Sequence, residues 1–211
     1  MSNEVIGSGN TGRNGTAPAG SPEQTRELAS PQTRLPTSSL LVPPAPLETT
    51  TRTNRVTLTR IALFDDLAQA NAMHARCSLE SCFARYHAAR QSLAAREWRH
   101  LCDQANGTTL ITVPLGEPSR VIAITHLLRT PVPHVRELGI LVEDSWQGEG
   151  LGTALAHYAV DLARTHTLDC SEVAAMTGSG NQRMLSILWG LHARVTGRDG
   201  PTLDTVIHVE A

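Results

Sequence analysis

The chain has 211 residues, is 40% hydrophobic and carries a formal net charge of −2. That suits one domain plus a tail and gives no electrostatic sign of a general nucleic-acid binder. No apolar run approaches the ~18 residues of a membrane span, and the start MSNEVIGSGN lacks the basic and apolar regions of a secretory signal, so a cytoplasmic protein off the membrane is expected.

Residues 1–54 hold seven of the twelve prolines and no aromatic residue. Such a stretch cannot bury enough apolar surface to offset its ordering entropy, and we read it as a disordered Pro/Ser/Thr/Gly-rich tail. The folded domain is expected over 55–211. Val56–Thr59 alternates apolar and polar residues, as a first strand would. Helical patterning follows from Asp65 to Arg76 with Leu67, Ala70 and Met73 inward. Ser78 is a candidate N-cap for a helix from Leu79 to Ala89, and Ser92 for another from Leu93 to Asp103. Strands at Thr108–Val113 and Arg120–Leu128, split by Gly116-Glu117-Pro118, read as a hairpin. Beyond the central stretch come a strand at Glu172–Met176, a helix over Asn181–Ala193 with Met184, Ile187, Leu188 and Leu191 inward, and a strand at Thr205–Val209.

The central stretch runs from Glu137 to Arg164. An apolar strand, Leu138–Val142, feeds a loop with glycines at 148, 150 and 152. A helix follows in which Leu151, Leu155, Tyr158 or Ala159, and Leu162 recur at helical spacing. Glycines let a backbone approach a ligand closely, and the first free N–H groups of a helix point at it, so this arrangement suits phosphates. It also suits an ordinary glycine-rich turn capping a helix. A P-loop needs a lysine after its last glycine, but Thr153 stands there, and all 18 basic residues are arginines. A dinucleotide fingerprint needs Gly or Ala where Thr153 stands. The acyl-CoA pyrophosphate loop remains: Gln147-Gly148-Glu149-Gly150-Leu151-Gly152 matches its Q/R-x-x-G-x-G/A pattern, and on these residues the chain resembles the GNAT N-acetyltransferase superfamily.

Further stretches carry the resemblance across 55–211. Arg76-Cys77-Ser78-Leu79-Glu80-Ser81 followed by Arg85-Tyr86 looks like the R-x-S-x-E-S-x-x-x-R-[FY] helix pair of a bacterial branch that includes actinobacterial protein-lysine acetyltransferases. Glu137-Leu138, Trp146-Gln147 and Asn181-Gln182-Arg183-Met184 are similar to other marks of that branch. The resemblance implies an α/β fold: a mixed, mostly antiparallel central sheet flanked by helices. It implies acetyl-CoA as co-substrate and an amine acceptor, a protein lysine or a small molecule, attacking the thioester directly in a ternary complex. By the same resemblance Ile140, Leu141 and Val142 would line the pantetheine, with a backbone N–H there as oxyanion donor. Gln147, Gly148, Glu149, Gly150, Leu151, Gly152 and Thr153 would hold the pyrophosphate, and Asn181 would hydrogen-bond the pantetheine arm or a water beside it. Glu137 would be the base; a solvated acid at a strand edge is its plainer alternative. A homodimer, common in the family, is compatible with an exposed sheet edge.

Some features depart from the pattern. An acid, Glu149, sits inside the phosphate loop, where it can instead face solvent and favour the helix N-terminus. His192-Ala193 replaces a Gly-Phe pair at the end of the following helix, and Leu188 stands where many members carry a tyrosine acid. Aromatic residues make up only 3% of the chain. These departures leave a non-catalytic acyl-CoA-binding module as the alternative. No paired metal-ligand spacing joins His74, Cys77 and Cys82, so no metal is expected. The four cysteines are expected to be reduced thiols; His126 and His134 flank the acceptor side near Glu137, where one could shuttle a proton, but both are read as loop surface.

Overall fold

The computed structural model describes residues 45–88, 90–165 and 169–209. Eight strands form one sheet in the order β1-β2-β3-β4-β5-β6-β8-β7. They are β1 (Leu47–Thr50), β2 (Val56–Ile61), β3 (Gly107–Pro114), β4 (Ala123–Arg129), β5 (Val135–Val142), β6 (Glu172–Gly178), β7 (Arg194–Asp199) and β8 (Thr202–His208). Only β5 and β6 pair in parallel. Helices α1 (Leu67–Arg76), α2 (Leu79–Tyr86) and α3 (Ala95–Cys102) precede β3, α4 (Leu151–Ala163) joins β5 to β6, and α5 (Gln182–Gly190) joins β6 to β7. This is the mixed, mostly antiparallel sheet with flanking helices that the sequence implies.

Each sheet face buries its own apolar set, as strand alternation requires. On one face Ile111, Ile124 and Leu141 pack with Met73, Cys82 and Trp98 of α1–α3. On the other, Leu127, Leu138 and Val173 pack with Ala156, Val160 and Leu188 of α4 and α5. Register agrees with this division, since Ile124 pairs with Leu141 and Leu127 with Leu138. Within β5, Glu137, Gly139 and Leu141 therefore face α1–α3, while Leu138 and Ile140 face α4 and α5.

Several sequence expectations need correction. Residues 1–44 of the expected tail lie outside the described residues. The sheet already begins at Leu47, before the expected start near Asn54, because β1 pairs along β2 from Leu47↔Thr59 to Thr50↔Val56. This strand is short, half exposed and preceded by prolines, so composition hides it. Likewise β7, Arg-Val-Thr-Gly-Arg-Asp, is a mostly exposed edge strand without an apolar face to read. Ser92 is not a cap: α3 starts after Ala94, with no side-chain cap. The expected inward residues Met184, Ile187, Leu188 and Leu191 all join the second core, and α5 also buries Leu185, which the sequence reading left out. His192 takes the left-handed conformation itself, with φ 59°, so the turn after α5 survives without glycine.

Candidate active site

Strands β5 and β6 pair only through Val135, Arg136 and Glu137 against Glu172, Val173 and Ala174. Beyond Glu137 they part. Ile140, Leu141 and Val142 on one side and Met176, Thr177 and Gly178 on the other line a cleft of about 1510 Å³. The backbone on the β5 side is open to it. Glu143 gives its N–H to Ile122, towards β4; strand alternation turns the N–H groups of Ile140 and Val142 the other way, into the gap.

The loop at one end of the cleft is tightly held. Gly148 and Gly150 have φ values of 77° and 90°, a region that favours glycine, and Gly150 is the N-cap of α4. The first N–H groups of α4 have no intrahelical acceptor. Gln147 uses both ends of its amide: Nε2 donates to the Val142 carbonyl at 2.8 Å and to Ser81 Oγ at 2.9 Å, and Oε1 accepts from Arg183. Asp144 accepts from the Ser78 N–H at 2.6 Å, Ser81 Oγ at 2.6 Å and Ser78 Oγ at 3.0 Å. Burial works against the Asp144 carboxylate, but these donors outweigh it and hold its pKa below the ordinary value. The Ser78 hydroxyl also caps α2, accepting from the Ser81 N–H at 3.1 Å. Behind the loop, buried Glu143 accepts from Arg76 Nε at 2.9 Å and from Arg120 at 3.3 Å. The serines and arginine of the helix-pair motif thus tie α1 and α2 to the loop.

Glu149 is engaged away from the cleft. Its carboxylate pairs with Arg55 and accepts from Thr53 Oγ1 at 2.6 Å, and those two bonds lower its pKa. Its backbone carbonyl accepts from the Arg52 N–H at 3.0 Å. Neither the phosphate-facing position nor the solvent-facing one expected for Glu149 is observed, because the β1–β2 turn supplies its partners. Leu151 turns its side chain into a small core with Trp146, Leu155 and Val142, so its backbone N–H, in the first turn of α4, is the group it can offer a phosphate. The turn contributes more than Glu149's neutraliser. Arg55 lies 3.5 Å over the Trp146 ring, and the side chain of Arg52, free of any partner among the described residues, reaches the cleft beside Gly150.

The remaining expected residues meet at the cleft: Glu137, Ile140, Leu141, Val142, Gln147, Gly148, Gly150, Gly152, Thr153 and Asn181. Asn181 spends its Oδ1 capping α5, accepting from the Met184 N–H at 3.2 Å, which leaves its –NH₂ for the cleft. Glu137 is exposed where β5 and β6 diverge. Leu188 is buried, and neither tyrosine lines the cleft. No cysteine lines it either, and burial pushes the Cys77 and Cys102 thiols up to about 12. His134 lies on the surface against Asp169 at 3.1 Å.

Sequence reasoning assigned no role to one group. The guanidinium of Arg85, from α2, lies directly on Gly139, so that a methyl group there would overlap it. Its Nε is buried and unpartnered. Behind it, His126 is not the loop-surface residue expected: it is buried within β4, pairs in register with Gly139 and faces the same way. The Thr109 hydroxyl donates to the Leu101 carbonyl and so accepts from His126 Nδ1 at 3.0 Å, leaving His126 Nε2 as a buried, unpartnered acceptor. Burial first, and then the charge of Arg85, hold the His126 pKa well below its ordinary value.

The model of the acetyltransferase (GNAT) family matches residues 70–188, more than half of the chain and all of the loop and β5. Among solved structures, the GNAT domain of S. lividans PAT is similar with a TM-score of 0.70 at 20% identity, over 79% of this chain and 99% of that one. RimJ of Mycobacterium smegmatis, solved with CoA-disulfide, gives 0.59 at 16% identity over 79% and 88%. The spermidine N-acetyltransferase of Vibrio cholerae, solved with CoA and spermine, gives 0.57 at 14% identity over 72% and 95%. No curated protein sequence matches the chain. No helix among the described residues is long and apolar enough to cross a membrane.

Proposed function

The chain belongs to the acetyltransferase (GNAT) family, and from that premise we propose that it moves an acetyl group from acetyl-CoA to a primary amine within a ternary complex. The observation that carries this reading is the parting of β5 and β6 beside a loop of left-handed glycines. An acyl-CoA fits these residues. The free N–H groups of α4 suit its diphosphate, the gap between the strands suits its pantetheine, and the N–H groups of Ile140 and Val142 suit its thioester carbonyl. Two of the solved neighbours hold CoA or its disulfide.

The chemistry follows from the groups present. Glu137, at the fork, takes the proton that the attacking ammonium must lose, directly or through water. The amine nitrogen then bonds to the thioester carbon, a β5 N–H stabilises the oxyanion, and the C–S bond breaks. With no tyrosine lining the cleft, the second proton, which the nitrogen must lose on becoming an amide, passes by way of water to the departing thiolate. Direct attack is favoured because no thiol lines the cleft to carry the acetyl group. The test is acceptor-dependent CoA release. Glu137→Gln is expected to lower kcat by about 10²–10⁴ with acetyl-CoA affinity unchanged. Undiminished turnover in Glu137→Gln would remove Glu137 from the mechanism. Acetyl-CoA binding with no release across a broad amine panel would make the protein a binding module.

A further inference from the structure

The acceptor end of the cleft holds a cation without an anion. The Arg85 guanidinium lines the cleft and forms no ion pair or hydrogen bond among the described residues. Its one ring contact is Tyr86, 5.0 Å from the guanidinium carbon. Glu137 attracts it but is not in salt-bridge contact. With Nε buried, its terminal amino groups are what the cleft meets. A desolvated charge left unpaired is costly, and here the cost is built in. Gly139 leaves room that any side chain would fill, and the guanidinium occupies that room. Planar guanidinium forks match carboxylates, with two parallel N–H···O bonds.

Arg85 and Glu137 share one face of the fork, since Gly139 and Glu137 are two residues apart on β5. An acceptor amine brought to Glu137 therefore places its neighbouring atoms near Arg85. We infer that the acceptor is a small amine carrying its own carboxylate, an amino acid, whose carboxylate is bound by Arg85 while its amine faces Glu137. This rests on the acetyl-transfer reading and narrows it. The cation also favours the neutral over the protonated amine, the form that attacks. The body of the acceptor meets apolar walls: Leu79, Phe83 and Met176, each at least half exposed, line the same cleft. A protein lysine, with no carboxylate beside its amine, leaves Arg85 unpaired.

The experiment compares phenylalanine with phenylalaninamide and phenethylamine, alongside a lysine-containing peptide, as acceptors at saturating acetyl-CoA. The amide has the less basic amine and would react faster on basicity alone, so a preference for the carboxylate cannot come from basicity. The expected result is that phenylalanine exceeds both analogues in kcat/KM by about ten- to a hundredfold, the worth of a hydrogen-bonded charge pair. In Arg85→Gln that ratio should fall to one or below, in Arg85→Lys it should recover in part, and in Gly139→Ala, which displaces the guanidinium without altering its charge, it should shrink. A ratio near one in the native protein, a ratio that survives Arg85→Gln, a uniform fall for every acceptor, or a preference for the peptide overturns the inference. If acetyl-CoA binds and nothing is acetylated, the catalytic reading fails by itself. Calorimetry of phenylalanine into the CoA complexes of native protein and Arg85→Gln still decides, with binding to the native complex alone in support and no binding, or equal binding, against.

Discussion

The two ends of the cleft are built on opposite principles. At the loop end Asp144, Gln147 and Glu149 are bonded to several donors or acceptors of the chain itself, and among the buried atoms described there only the Trp146 ring nitrogen, under Arg55, is left over. At the other end Arg85 Nε and His87 Nε2 line the cleft buried and unpartnered, with His126 Nε2 behind them. Native interiors seldom leave such atoms unsatisfied. On the proposed function, a loop that always receives the same phosphates gains from being fixed beforehand, whereas an end that recognises a second molecule keeps its hydrogen-bonding capacity for that molecule.

Breaking the fixed end should give the largest effect. Gly150→Asp puts a side chain at φ 90° and a carboxylate where phosphates are to sit. The conformational penalty alone is about 1–2 kcal/mol. With the added repulsion, acetyl-CoA affinity measured by calorimetry should fall about a hundredfold or more while circular dichroism shows an unchanged fold. Next comes Asp144→Ala, which strips partners from Ser78, Ser81 and Gln147 together. Those donors are near solvent and can rehydrate, so the expected destabilisation is about 1–2 kcal/mol, read as a fall of about 2–8 °C in Tm. Acetyl-CoA should also bind more weakly, because the loop loses its tie to α2.

What was legible in the sequence follows the same division. The strand, glycine loop and helix could be read because their signals are local: helical spacing in Leu151–Leu162, and glycines where φ is positive. The Ser78 cap was legible for the same reason, since its acceptor bond spans three residues. Glu149 could not be read, because its partner Arg55 lies 94 residues away in the chain and belongs to a hairpin whose first strand has little apolar content. Arg85 and Gly139 were equally hidden. A glycine in a strand and an arginine on a helix carry no mark of each other until the sheet brings them into contact.

Two buried histidines also predict a pH response. His74 and His126 are buried, and burial lowers both pKa values below 6.5 in the folded protein. The unfolded chain thus binds more protons than the folded one below about pH 6.5, so their contribution is present above that pH and lost as pH falls towards the folded values. Each histidine can remove up to about 1.4 kcal/mol per pH unit in that window. Denaturant unfolding between pH 7 and 5 should show the slope, and His126→Gln should reduce it. An unchanged slope would mean that His126 takes up its proton as readily in the folded protein as in the unfolded chain.

The smallest effect tests whether the loop end is as closed as it looks. Arg52 is exposed beside Gly150, and its guanidinium has no partner among the described residues. A screened surface charge of this kind contributes about 0.2–1 kcal/mol, so Arg52→Ala should weaken acetyl-CoA binding only about two- to fivefold, and less as salt rises. Arg55→Ala should weaken it more, because it frees the Glu149 carboxylate to repel phosphates from within the loop. If Arg52→Ala instead proved the larger, the β1–β2 turn would serve mainly as a ligand contact and the clamp on Glu149 would be incidental. That ordering therefore distinguishes a hairpin that positions the loop from one that completes it.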